Sequence, residues 1–233
     1  PTQAPLPNPN GRYTVRHGRG YSVFEHVAHN LVLTLTVCVP LADPIRISRL
    51  SLRDTSGRPR RLAVNAYVEW VLGTSRGGSA PFVITQLDPV TGALLATNPM
   101  NPGFGGRVAF SDLAGQQTQW TGDRREFLGR HGRLAAPAAL NGTMPLSQRT
   151  GAGLDPCAAL RAFVEVPANG SAELVCLLGQ ADSVAEAQAL LLRYRQVDVD
   201  ALLAAVGVHW RETLGVLQVT TPDRALDLML NGW

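Results

Sequence analysis

The segment Leu31-Val32-Leu33-Thr34-Leu35-Thr36-Val37-Cys38-Val39 constrains the fold more than any other feature of the sequence. Its odd positions are all apolar and its even positions mixed, the period-two pattern of a strand with one face buried. Pro40 and the Asp43-Pro44 pair end it, and Ile45-Arg46-Ile47 opens another strand. Between Ile47 and Leu50 the apolar phase slips by one, which predicts a β-bulge. After the turn Ser56-Gly57-Arg58-Pro59, Leu62, Val64, Ala66, Val68 and Trp70 share one face of a strand. Its other face carries Tyr67 and Val71 beside Arg61, Asn65 and Glu69, so it is expected to meet another layer or a subunit.

Strand character dominates from Tyr13 to Phe110. Short strands are expected at 82–86, 93–97 and 107–110, with Asp88-Pro89-Val90-Thr91-Gly92 as a hairpin turn between the first two. Two longer runs, 158–166 and 172–178, flank the turn Pro167-Ala168-Asn169-Gly170. The last fifth changes period. Ser183 followed by Glu186 is a capping-box pattern for a helix to about Arg195. A second helix is expected from about Val199 to Leu214, and Thr221-Pro222 reads as the cap and first turn of a third. Strands followed by helices point to a large antiparallel sandwich with a helical tail.

Bulk properties narrow the function. The chain has 233 residues, 45% of them hydrophobic, and a net charge of +3. It carries no Lys, so all 21 of its Lys-plus-Arg residues are Arg. These arginines are interleaved with acids, and no stripe of the kind that binds nucleic acid is seen. Cys38, Cys157 and Cys176 lack metal-type spacing and suit buried thiols in a reducing compartment. The histidines give no metal site either, because His26 and His29 would point to opposite faces of a strand. Asn141-Gly142-Thr143 and Asn169-Gly170-Ser171 match glycosylation sequons but read equally as turns. No cofactor fingerprint is present.

One block stands apart. Asp123-Arg124-Arg125-Glu126 sets four charges in a row in a chain only 17% charged, and closes on Phe127-Leu128-Gly129. A polar tip on an apolar foot suits a binding loop fixed to a scaffold. It equally suits an ion-pair cluster that caps a short helix. Asp123, Arg124, Arg125 and Glu126 are therefore candidate contacts to substrate or partner, with guanidinium groups that donate to phosphate or sugar oxygens. Tyr21, Phe104 and Trp120, all near turns, are candidates for stacking on sugar rings. None is assigned a catalytic role.

Several stretches together resemble the glycoside phosphorylases of family 94, and most of all the phosphorylase-like region of cyclic β-1,2-glucan synthases. They are Tyr13 to Gly18, Gly20 to His26, Ser56 to Leu62, Tyr67 to Gly73, Thr121 to Leu140, Gly151 to Cys157, and Thr221 to Asp223. The resemblance runs from about Gly11 to the last residue. It implies a mainly β fold, a galactose-mutarotase-like antiparallel β-supersandwich, with C-terminal helices leading toward an (α/α)6 catalytic barrel. The expected division is a linker over 1–10, the sandwich over 11–180 and a helical linker over 181–233 that stops where the barrel would begin. Phosphate performs the attack in that family and the single acid belongs to the barrel, so this domain is expected to be non-catalytic. It would shape the active-site entrance and support a homodimer in which the sandwich approaches the partner's site. The parent would bind β-glucan oligosaccharides and act at the cytoplasmic face of a bacterial inner membrane. Alternatives are an autonomous carbohydrate-binding module, the sandwich of a cellobiose- or chitobiose-type phosphorylase, or a mutarotase-type enzyme.

Overall fold

A computed structural model describes residues 12–141 and 144–232. The expected linker 1–10 and the Gly142-Thr143 part of one sequon lie outside the described residues. The strands are β1 (Arg12–Gly18), β2 (Tyr21–Ala28), β3 (Leu31–Cys38), β4 (Ile45–Asp54), β5 (Arg60–Glu69), β6 (Ile84–Leu87), β7 (Leu94–Thr97), β8 (Val108–Asp112), β9 (Gln119–Asp123), β10 (Pro156–Val166) and β11 (Ser171–Ala181). The helices are α1 (Arg76–Ser79), α2 (Arg124–Leu128), α3 (Ala138–Asn141), α4 (Val184–Tyr194), α5 (Val199–Gly215) and α6 (Arg224–Gly232).

The strands form an eight-stranded sheet, β1-β2-β3-β4-β11-β8-β7-β6, and a three-stranded sheet, β5-β10-β9. Every pairing between strands is antiparallel. The mainly β, antiparallel sandwich with C-terminal helices is thus the observed architecture. Tight turns set the meander. Between β2 and β3, His29 and Asn30 both take positive φ, 52° and 58°, as a two-residue hairpin of the primed type requires.

Between the sheets lies one core. Leu52, Leu94, Ala96, Ala109 and Leu174 of the large sheet meet Leu160, Ala162, Val164 and Trp70 of the small one. Leu62, Val64, Ala66 and Val68 of β5 join it, on the face that the sequence assigns to them. A second core covers the opposite face of the large sheet. There Ala187, Leu190, Leu191 and Tyr194 of α4 close over Ile45, Ile47, Phe110 and Leu177. Helix α5 adds Val199 to this core and lies against the β1–β2 hairpin. A Cβ at Gly20, where φ is +81°, would fall 2.3 Å from Val206.

The two cores explain the phase slip in β4, where no bulge forms. Its register against both β3 and β11 is continuous. Ile45 and Ile47 face the helices, whereas Leu50 and Leu52 face the small sheet. The apolar pattern shifts because the buried face changes along the strand. The irregular register lies instead in β10, between Pro156 and Ala159 opposite β9.

Three smaller expectations also change. Phe82, expected to open a strand, instead closes a 3-10 turn (Ala80–Phe82) that follows α1, a short helix capped by Ser75, which accepts from Gly78 N. Ser183 caps α4 as anticipated, but the Glu186 carboxylate accepts from Asp182 N at 2.9 Å rather than from the cap residue itself. Helix α6 begins at Arg224, and Asp223 accepts from Ala225 N at 2.8 Å. Asp223 is therefore the cap, and Thr221-Pro222 precedes it. No helix among the described residues is long and apolar enough to cross a membrane.

Candidate functional site

The outer face of the small sheet carries the Asp123 block. β9 ends at Asp123, whose carboxylate accepts from Arg125 N at 3.0 Å and caps α2. Phe127 and Leu128 are buried with Leu146, Cys157 and Ala159. The Phe127 ring stacks on Tyr67 with centroids 4.9 Å apart. The polar tip thus stands on an apolar foot, and the layer expected against Tyr67 is this segment. Trp70, just past the end of β5, belongs to the core between the sheets.

Charge in the block is largely consumed internally. Glu126 accepts from Thr121 Oγ1 at 2.5 Å and from Ser147 N and Oγ at 2.6 Å each. Arg124 Nε donates to Glu69 at 2.9 Å, and Arg76 Nη1 donates to the other oxygen of the same carboxylate at 2.7 Å. Arg76 also bonds Asp155, which lies 3.7 Å from Arg124. Tyr67 completes the cluster, its hydroxyl donating to Glu69 at 2.7 Å. Burial pushes the Glu69 carboxyl up, but bonds from Tyr67 and Arg124, with the charge of Arg76, outweigh it and hold the group below its ordinary value. Burial first, and then the bond to Glu69, raises the Tyr67 phenol. Two guanidinium groups therefore face two carboxylates, and Glu69 stays ionised.

Sequence reasoning nominated Arg124 from this cluster and missed Tyr67, Glu69, Arg76 and Asp155. One signal was present: Glu69 lies on a strand face that Tyr67 marked as covered. Three stretches that carry the family resemblance, around Tyr67, Asp123 and Asp155, converge here.

Arg125 differs from its neighbours. It is exposed, and no side-chain partner is found for it among the described residues. It borders a pocket of about 390 Å³ whose other walls include Pro81, Leu154 and Asp155. Asp123 is buried and lies 3.8 Å from Arg149.

The aromatic candidates separate. Trp120 is partly buried against the core between the sheets. Tyr21 is 38% exposed, its ring folded over Gly18 of its own hairpin. Phe104 is 60% exposed and borders a cleft of about 450 Å³ at the end of the sandwich. Leu72-Gly73-Thr74, just after β5, form one wall of that cleft, and Gly77, Ala80 and Pro81 of the same segment line the Arg125 pocket. The three thiols are free, and burial pushes that of Cys176 up to about 12.

This two-sheet scaffold with its helical layer is that of the supersandwich domains of carbohydrate-active enzymes. The chain belongs to the family described as glycosyl hydrolase 94, supersandwich domain, which it matches over residues 1–197. It is 37% identical over 221 residues to the cyclic beta-(1,2)-glucan synthase NdvB of Rhizobium meliloti (strain 1021), covering 95% of this chain and 8% of that protein. It is 26% identical to the N,N'-diacetylchitobiose phosphorylase of Vibrio furnissii, over 96% of this chain and 28% of the other. Among solved structures, a bacterial glucoamylase complexed with acarbose aligns with a TM-score of 0.57 at 10% identity, over 90% of this chain and 29% of that one. That likeness is one of fold. The chain thus spans 8% and 28% of the length of the two curated relatives named here.

Proposed function

We propose that this chain is the non-catalytic sandwich domain of a longer β-glucan-processing enzyme, where it shapes the active-site entrance and contributes to a dimer interface. The observation that carries the reading is the state of the carboxylates around the Asp123 block. Asp123 caps a helix, Glu126 accepts three hydrogen bonds, and Glu69 and Asp155 are held by arginines. A general acid must hold a proton near neutral pH. Glu69 is shifted the wrong way for that role, toward the ionised form.

What the block offers is a rigid, charge-balanced platform with Arg125 projecting from it. In the parent enzyme Arg125 is the contact to substrate or to the partner subunit, and the catalytic acid lies in the barrel. Any membrane anchor also belongs to the rest of the parent, which acts at the cytoplasmic face.

Incubating the purified chain with linear β-1,2-glucan and inorganic phosphate tests the non-catalytic assignment. No glucose 1-phosphate is expected, and its enzymatic release by this chain would end the reading. In the parent enzyme, Arg125→Ala is expected to reduce phosphorolysis about tenfold or to weaken the dimer. Unchanged activity and unchanged sedimentation would remove Arg125 from the interface.

A further inference from the structure

We propose that the cleft at the end of the sandwich is a binding subsite for a short neutral β-linked oligosaccharide, with Phe104 as its stacking platform and Gln180 as its polar anchor. The proposal rests on the reading of the chain as an accessory domain of a glucan-processing enzyme, and it adds a sugar-holding site away from the Asp123 block.

The cleft is built rather than incidental. Its floor is Ala109 and Gln180, register partners on β8 and β11, at the margin of the core between the sheets: Ala109 belongs to that core, and Gln180 beside it is exposed. The overhanging wall is fixed by Leu72, a non-glycine residue at a φ of +41°. Its carbonyl accepts from Asn98 Nδ2 at 2.9 Å and from Asn101 Nδ2 at 3.2 Å. A left-handed residue held by two amide side chains is strain that the surrounding structure maintains, a pattern that gathers at ligand sites. Asn101 Oδ1 in turn accepts from Gly103 N and Phe104 N, which fixes the loop that presents the ring.

The chemistry of the walls selects the ligand. The Arg107 guanidinium lies over one face of the Phe104 ring, 5.2 Å from its centroid, and the residue remains 60% exposed, so the opposite face is the one offered to a ligand. An electron-rich aromatic face attracts the polarised C–H face of a pyranose. The exposed Gln180 side chain has no partner among the described residues and offers both donor and acceptor to sugar hydroxyls. Arg107 is already paired with Asp182 at 3.2 Å, so the cleft carries little net charge and suits a neutral ligand over an anion. Its volume, about 450 Å³, falls within the roughly 300–1,000 Å³ typical of small-ligand sites.

The test is calorimetric titration of the 233-residue chain with a linear β-1,2-glucan oligosaccharide and, separately, with N,N'-diacetylchitobiose. Saturable binding of at least one is expected, and the preferred probe identifies the source of the ligand. Phe104→Ala and Gln180→Ala should each weaken it about tenfold, roughly 1.4 kcal/mol. Val27→Ala, an exposed position on β2, separated from β11 in the sheet by β3 and β4, should leave it unchanged. Both cleft variants alter exposed side chains, and circular dichroism checks that they fold. Absence of saturable binding to either sugar overturns the proposal, as does binding that survives both cleft substitutions. Failure of the accessory-domain reading shows separately, as glucose 1-phosphate formed by the chain itself.

Discussion

Arg124 and Arg125 are adjacent in sequence yet face opposite tests. Arg124 neutralises a partly buried carboxylate, so Arg124→Ala leaves Glu69 with Arg76 and Tyr67 alone. Both side chains of the Arg124–Glu69 pair keep about a quarter of their exposure, which sets the loss between that of surface and buried pairs, about 1–2 kcal/mol. Urea denaturation of the chain measures it directly. Arg125→Ala, by contrast, should change stability by less than about 0.5 kcal/mol, since nothing in the described structure depends on it. Asp123 offers a sharper contrast. Asp123→Ala removes the α2 cap and costs about 1 kcal/mol, whereas Asp123→Asn keeps an accepting oxygen and most of that stability. Equal losses in the two variants would show that charge, not capping, is what Asp123 supplies.

Among the elements, α4 shows how a helix is tied to a sheet. Arg195, just past its C-terminal end, forms a two-pronged pair with Asp112 of β8, both bonds 2.8 Å, and also donates to Thr91 O. The Asp112 side chain is fully buried. Arg195→Ala would strand that carboxylate and is expected to cost about 3 kcal/mol, read as a lower urea midpoint. Arg195→Lys should recover only part of it, because an ammonium cannot reproduce the planar fork. None of this was legible in the sequence, where the two residues stand 83 positions apart. The elements themselves were legible. Alternation placed β3 and β5, Asp88 to Gly92 formed the predicted hairpin turn, and Ser183 capped its helix, because each depends on neighbours a few positions away. The bulge expected at Ile47 to Leu50 shows where such reasoning stops. A phase slip records a change of buried face, and only the packing of β4 between two layers says whether a bulge or a second core produced it.

For the whole molecule, the core between the sheets sets stability. Leu160 is fully buried at its centre, so Leu160→Ala should cost about 2–5 kcal/mol by thermal or urea unfolding. Acid adds a second dependence. Asp54 is held well below its ordinary value by the Ser56 hydroxyl, a shift that burial opposes and bonds from the Asn169, Ser56 and Gly57 amides reinforce. Glu69 is lowered as well. For a carboxylate with a lowered folded value, the stabilisation is complete above the unfolded value and is lost as pH falls through the folded one. The unfolding free energy is therefore expected to be flat from neutrality to about pH 5 and to decline below the ordinary carboxylate range. Asp54→Asn should flatten that acid limb, and an unaltered limb would mean that other carboxylates set it.

Taken alone, the sequence determined that strands come first and helices last, the strands β3, β10 and β11, the buried face of β5, several turns, the Ser183 cap and the family. These follow from local periodicity and from short motifs kept in order along the chain. Tertiary structure decided the split into sheets of eight and three strands, with β5 leaving the meander to join β9 and β10. It also decided that Glu69, Arg76, Arg124 and Asp155 share one cluster, across separations of 55 and 79 residues, and that Phe104 overlooks a cleft. Side-chain partners so far apart are chosen by which faces must be buried together, and a periodicity of two or 3.6 residues carries no record of that choice.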